Sequence, residues 1–121
     1  MSDNQHLVQR YIAVWNETDP AARRLLVDEI LAADARYTDP LADVTGRAAF
    51  DAVVAAVQEQ FPGFVLTLGA VDTHHHLARF TWELGPAGGE SAVIGFDVVE
   101  IGDDGLVHSV QGFLDKVPAG A

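Results

Sequence analysis

The stretch Arg47–Asp72, RAAFDAVVAAVQEQFPGFVLTLGAVD, changes its hydrophobic period part-way along. Up to Phe61 the apolar residues Phe50, Val53, Val54, Val57 and Phe61 recur at i, i+3, i+4, i+7 and i+11, one face of an α-helix, while Asp51, Gln58 and Glu59 lie off that face. Pro62-Gly63 ends the helix, and from Phe64 onward the period is that of a β-strand. The switch divides the chain into a helical part and a strand part.

Toward the N-terminus, Leu7, Tyr11, Val14 and Trp15 predict a first helix over 4–16. Asp19 followed by Pro20 has the form of an N-cap with proline in the first turn, opening a second helix whose face runs through Leu25, Leu26, Ile30 and Ala33. Ala35–Pro40 alternates as a short strand, followed by a loop through Asp43 and Gly46. Toward the C-terminus, four strands are expected over 64–72, 75–84, 91–101 and 106–116, with turns at Asp72-Thr73, Gly85–Gly89 and Gly102–Gly105. Helices first and strands after predict an α+β fold in one domain over residues 1–121, a mostly antiparallel sheet curving around three helices.

Composition narrows the function. With 121 residues, 49% of them hydrophobic, the chain can bury a sizeable core. Seven basic against 18 acidic residues leave a net charge of −11, whose field repels nucleic acid and anionic membrane surfaces. The absence of cysteine removes disulfides, thiolate metal sites and cysteine nucleophiles. The polar start Met1–His6 predicts no secretory leader, and no apolar run approaches the ~18 residues needed to span a bilayer, so a cytoplasmic protein is expected.

Asp97 is the anomaly of the strand region. One parity of its strand gives Val93, Gly95, Asp97, Val99 and Ile101, the other Ala92, Ile94, Phe96 and Val98. Because both faces are apolar and no spare helix remains, a homodimer through the outer sheet face is expected. Aspartate in such a strand either projects into a cavity, where desolvation makes it a proton donor, or pairs with Arg79 or solvent. Taken singly, Asp39 reads as a turn starter before Pro40, and Tyr11 beside Trp15 as a core aromatic.

Taken together, Arg10-Tyr11-Ile12 in the first helix, Thr38-Asp39-Pro40-Leu41 closing the first strand, Gly46-Arg47 opening the third helix, and Asp97-Val98-Val99-Glu100 followed by Asp104-Gly105-Leu106-Val107 resemble the NTF2-like superfamily. The nearest branches are the SnoaL-like and ketosteroid-isomerase-like ones, and the resemblance covers about residues 5–116. It implies a cone-shaped α+β barrel around a deep pocket. It also implies Asp39 as general base, Tyr11 as tyrosine donor and Asp97 as a second donor, a carboxylic acid kept neutral as in the steroid isomerases. The base would remove a proton alpha to a carbonyl while the donors stabilise the enolate. The further tyrosines of the steroid isomerases fall here at Leu31 and Val54, which donate nothing. The implied function is a cofactor-independent isomerase or cyclase acting on a small hydrophobic polyketide, terpenoid or steroid-like compound, or else a non-catalytic small-molecule-binding or dimeric accessory domain.

With Asp97 directed inward, parity places Val93, Gly95 and Val99 beside it, joined by His108, Val110, Gly112 and Leu114 from the last strand and His76, Ala78, Phe80 and Trp82 from the second. Trp15, Tyr37, Phe50, Val54 and Phe61 are expected to complete the substrate-binding wall, whose apolar and aromatic character suits a small hydrophobic ligand. Alternation separates His75 from His74 and His76, so no metal site is expected there, and no cofactor. His76 or His108 is the better candidate for a general acid or base.

Overall fold

The structure is a computed structural model and describes residues 3–118. In chain order it contains α1 (Asp3–Asn16), α2 (Pro20–Ile30), β1 (Leu31–Thr38), β2 (Asp43–Thr45), α3 (Arg47–Gln60), β3 (Phe64–His74), β4 (Leu77–Pro86), β5 (Val93–Ile101) and β6 (Val107–Lys116). The six strands form one sheet in the order β2-β1-β6-β5-β4-β3, antiparallel except for the β1/β6 pair. This is the expected α+β architecture of three helices and a curved, mostly antiparallel sheet, although the sheet stays open and does not close into a barrel.

Local chemistry sets the element ends. Asp19 accepts from the Ala22 amide at 2.9 Å and so caps α2, with Pro20 in its first turn. Gly46, with φ +98°, turns the chain into α3, and Gly63, with φ +80°, turns it out again. Asn16, the last residue of α1, exchanges two hydrogen bonds with the Leu66 backbone, each 2.8 Å, and ties that helix to β3. In the centre of the core the Tyr11 ring packs against Phe50 at 5.9 Å and against Phe80 at 5.8 Å.

The second helix differs from expectation in length and in face. It stops at Ile30, because Leu31 turns to φ −97°, ψ 139° and starts β1, which pairs with both β2 and β6. Its buried residues are Arg23, Val27 and Ile30, whereas Leu25 is 66% exposed. An arginine can hold a core position because its charge is paired: Nε donates to Asp51 at 2.8 Å, and one terminal nitrogen donates to Gln58 at 2.9 Å and to the Glu17 carbonyl at 3.4 Å. The expected loop through Asp43 also contains a short strand, β2.

The β3–β4 hairpin turns later than expected. Its tip is His75-His76, with His75 at φ +49°, and not Asp72-Thr73. Between Leu68 and Val71 two residues of β3 face Thr81 alone, a bulge that bends the sheet. On β5 the alternation holds: Val93, Gly95, Asp97, Val99 and Ile101 are buried. The outer parity, Ile94, Phe96 and Val98, is half-buried, and Phe96 stacks at 5.3 Å on Phe113, which is 56% exposed. That apolar strip is narrow. Beside it lie the exposed Arg79–Asp72 and Arg36–Asp43 ion pairs.

Gly95 faces Trp82 across the β4/β5 ladder, and the absence of a side chain lets the indole lie over the strand. A Cβ there would collide with the Phe113 carbonyl oxygen and sit 2.6 Å from the Trp82 ring. Gly95→Ala is therefore expected to destabilise the fold by about 3 kcal/mol through overpacking, read as a lower urea midpoint. A midpoint equal to that of the unmodified chain would show that Trp82 does not need this space.

Candidate functional site

Between α1, α3 and the concave face of the sheet lies a cavity of about 490 Å3. Trp15, Tyr37, Phe61, Trp82 and Gly112 line it as the sequence suggested, together with the inward strand residues Val93 and Leu114. Asp39 and Asp97 both reach its wall. They flank Gly112: a Cβ on that residue would lie 2.7 Å from Asp97 Oδ1 and 3.5 Å from Asp39 Cβ. A glycine at the middle of β6 thus leaves room for two carboxyl groups.

Asp97 is 5% exposed, and its two oxygens face different donors. The Trp82 indole N–H donates to Oδ1 at 3.0 Å, and the Tyr11 hydroxyl donates to Oδ2 at a longer 3.4 Å. Burial raises the carboxyl to about 6; the Trp82 and Tyr11 hydrogen bonds work against that shift and the neighbouring Asp39 charge adds to it. Arg79, the alternative partner, is occupied by Asp72 on the exposed face at 2.9 Å.

Asp39 is both a turn residue and a wall residue. Its Oδ1 accepts from the Leu41 and Ala42 amides at 2.7 and 2.8 Å, and its Oδ2 accepts from the Tyr37 hydroxyl at 2.6 Å. Burial raises the Tyr37 phenol first, with the bond to Asp39 adding to it, so Tyr37 remains a donor across the working pH range. Tyr11 is likewise raised well above the ordinary phenol range, chiefly by burial and then by the charge of Asp97.

Other candidate residues fall elsewhere. Tyr11 is buried and reaches the site through Asp97, not from the cavity wall. Phe50, Val54, Phe80 and Val110 are buried in the core behind that wall, and Gly95 supports Trp82 from the side. His76 lies in the hairpin turn, exposed, with Nε2 3.5 Å from Glu100. A second bulge, where β6 is out of step with β5 between Glu100 and Ile101, buries Val107 and takes His108 off the inward parity. His108 binds both oxygens of Asp104 at 3.0 Å instead.

Parity did not reveal the rim. Leu41, 83% exposed, Val117, 52% exposed, and Pro118 frame the mouth from the turn after β1 and from the segment after β6. Phe61 and Phe64, stacked at 5.2 Å, frame it from the far side, and Gln58 and Gln60 join from α3. These positions lie at element ends, where no periodic pattern operates. Gln58 also donates to the carbonyls of Trp15 and Glu17 at 2.9 Å, so the buried Arg23 cluster holds the wall in place. The Trp15 indole N–H comes close enough to the Tyr11 oxygen to oppose its upward shift, yet falls short of hydrogen-bond geometry. Among the described residues it is the one buried side-chain polar atom without a partner.

Residues 8–110 match the family described as SnoaL-like domain. Among solved structures the chain is similar to a candidate isomerase of the SnoaL-like family from Agrobacterium tumefaciens, with 37% identity over 95% of this chain and 99% of that one and a TM-score of 0.89. Two more distant structures share the fold. A candidate ketosteroid isomerase from Kribbella flavida has 23% identity, covers 98% of this chain and 82% of that one, and gives a TM-score of 0.73. A candidate SnoaL-like polyketide cyclase from Jannaschia has 18% identity, with 92% and 86% covered and a TM-score of 0.70. No curated protein matches the chain.

The raised carboxyl makes stability depend on pH. Between the unfolded value near 4 and about 6, native Asp97 keeps a proton that the unfolded chain has lost. Its contribution is therefore complete below about pH 4 and is lost as pH rises through about 6, a swing on the order of 3 kcal/mol. Asp97→Asn keeps an acceptor for Trp82 and cannot ionise. Relative to the unmodified protein, it is expected to gain about 1–3 kcal/mol in urea unfolding between pH 4.5 and pH 8. An unchanged difference between the two pH values would refute the buried, raised carboxyl.

Proposed function

The chain belongs to the SnoaL-like domain family, and from that premise we propose that it is a cofactor-independent isomerase or cyclase transferring a proton alpha to a carbonyl of a small hydrophobic substrate, polyketide, terpenoid or steroid-like. The observation that carries this reading is the pair of carboxyl groups on either side of Gly112, held in different surroundings at the wall of one largely apolar cavity.

The chemistry assigns them opposite tasks. Neutral Asp97 donates a hydrogen bond to the substrate carbonyl oxygen, and Asp39 takes the proton from the adjacent carbon as the enolate forms. A proton then passes from Asp39 to a different carbon, which balances an isomerisation and leaves both carboxyls as they began. Trp82 and Tyr11 act through Asp97, one on each oxygen. Three donors already occupy Asp39, leaving about one of its roughly four acceptor sites free for the incoming proton. That crowding, together with Leu31 and Val54 in the core where steroid isomerases carry tyrosines, favours a second reading, a binding pocket without turnover.

A simple aryl ketone separates the two readings. In deuterated water the protein is expected to accelerate exchange of the alpha protons of acetylnaphthalene, followed by NMR, more strongly below about pH 6 than above it, where Asp97 ionises. Asp39→Asn should lower that rate at least about 100-fold with little change in Tm. An equal rate in the variant excludes Asp39 as the base, and ketone binding without exchange supports the second reading.

We also propose that two copies associate through the outer sheet face, where Phe113 is 56% exposed beside Ile94, Phe96 and Val98. Light scattering at micromolar concentration is expected to give twice the chain mass, and Phe113→Glu the mass of one chain. A single-chain mass for the unmodified protein would exclude this interface.

A further inference from the structure

The seven lysine and arginine side chains of the sequence are all committed away from the cavity. Arg10, Arg23, Arg24, Arg36, Arg79 and Lys116 face Glu29, Asp51, Asp28, Asp43, Asp72 and Glu90 at 2.8–3.5 Å, and Arg47 donates to the Leu31 carbonyl at 2.8 Å. No histidine lines the cavity among the described residues. Asp39 and Asp97 are thus the two carboxyl groups of that wall, and among the described residues no basic side chain stands there as a counter-ion for either. Beside them stand the rings of Trp15, Tyr37 and Trp82.

We propose that this cavity selects by charge, binding a lipophilic ammonium ion more tightly than a neutral ligand of the same shape and rejecting the matching carboxylate. The proposal rests on the cavity being a ligand pocket but not on its being catalytic. A cation placed between the carboxyls supplies the positive charge that no basic side chain supplies there, with three aromatic rings of the same wall available for cation–π contact. A ligand carboxylate would instead add another negative charge to a largely apolar wall, inside a protein whose net charge is already −11.

Proton linkage gives the two permitted ligand classes opposite signatures. The groups that face Asp97 are Tyr11 from α1, Tyr37 from β1, Asp39 from the turn after β1, Trp82 from β4 and Gly112 from β6. Both phenols stay protonated, so Asp39 is the one charge among them. An ammonium ion holds Asp97 in its ionised form and binds better as pH rises through about 6. A neutral ligand that displaces water holds Asp97 protonated and binds better as pH falls.

Calorimetric titration with three naphthyl compounds of nearly equal shape, naphthylethylamine, acetylnaphthalene and naphthoate, tests this on the unmodified protein. At pH 8 the ammonium ion is expected to bind about ten-fold more tightly than the ketone, and naphthoate more weakly than both. At pH 5 the gap between ammonium ion and ketone should close, and in Asp97→Asn it should shrink at pH 8. Equal affinities for ammonium ion and ketone at pH 8, or tightest binding by naphthoate, would overturn charge selection while leaving the pocket intact. Failure of all three to bind would overturn the pocket as well.

Discussion

A carboxyl group in the middle of an apolar strand cannot be packed like its neighbours. Asp97 sits on the inward face of β5 between Gly95 and Val99, and the structure around it meets that requirement. Trp82 and Tyr11 supply one donor to each oxygen, and two glycines provide space: Gly95 beneath the indole and Gly112 beneath the carboxyl. Leaving this region open creates the cavity, and the bulge in β3 helps to curve the sheet around it. The α-helices supply the opposite side, with the Arg23 cluster fixing Gln58 and through it the backbone at Trp15. Burial that would otherwise weaken the protein thereby gives it a group able to exchange a proton near neutrality.

The two wall carboxyls show how environment divides similar residues. Asp39 is fixed by two backbone amides and a phenol in a turn that its own side chain helps to build. Asp97 is fixed by two aromatic side chains in the interior. Many of the other acidic residues are occupied by arginines, amides or histidines outside the cavity, so the large negative charge of the chain is not spread evenly in its effects. The surface pairs are exposed and individually weak, whereas the cavity pair lacks any basic partner.

Periodicity was a good guide where one physical requirement governed a whole segment. The α3 stripe and the inward parity of β5 are both legible, and with them Asp97, Trp15, Tyr37, Trp82 and Gly112 as wall residues, whereas Asp39, which alone reads as a turn starter, is legible only through the family resemblance. It misled where a local contact outweighed the pattern. The buried face of α2 contains Arg23, which reads as a surface residue until its partners from α3 and the α1–α2 connection are in place. His76 was lost to a hairpin that turns three residues later than expected, and His108 to a bulge in β6 that shifts the alternation. The rim residues Leu41 and Val117 carry no periodic signal, because the turn and chain segment that bear them are placed only by tertiary packing.

The chemistry of the cavity depends on the state of a single carboxyl. A carbon-detected NMR titration of the aspartate side chains, with Asp97 assigned by comparison with Asp97→Asn, reads that state directly. It should place the midpoint of Asp97 at about 6. A midpoint in the ordinary aspartate range near 4 would contradict a buried proton donor at the heart of the cavity.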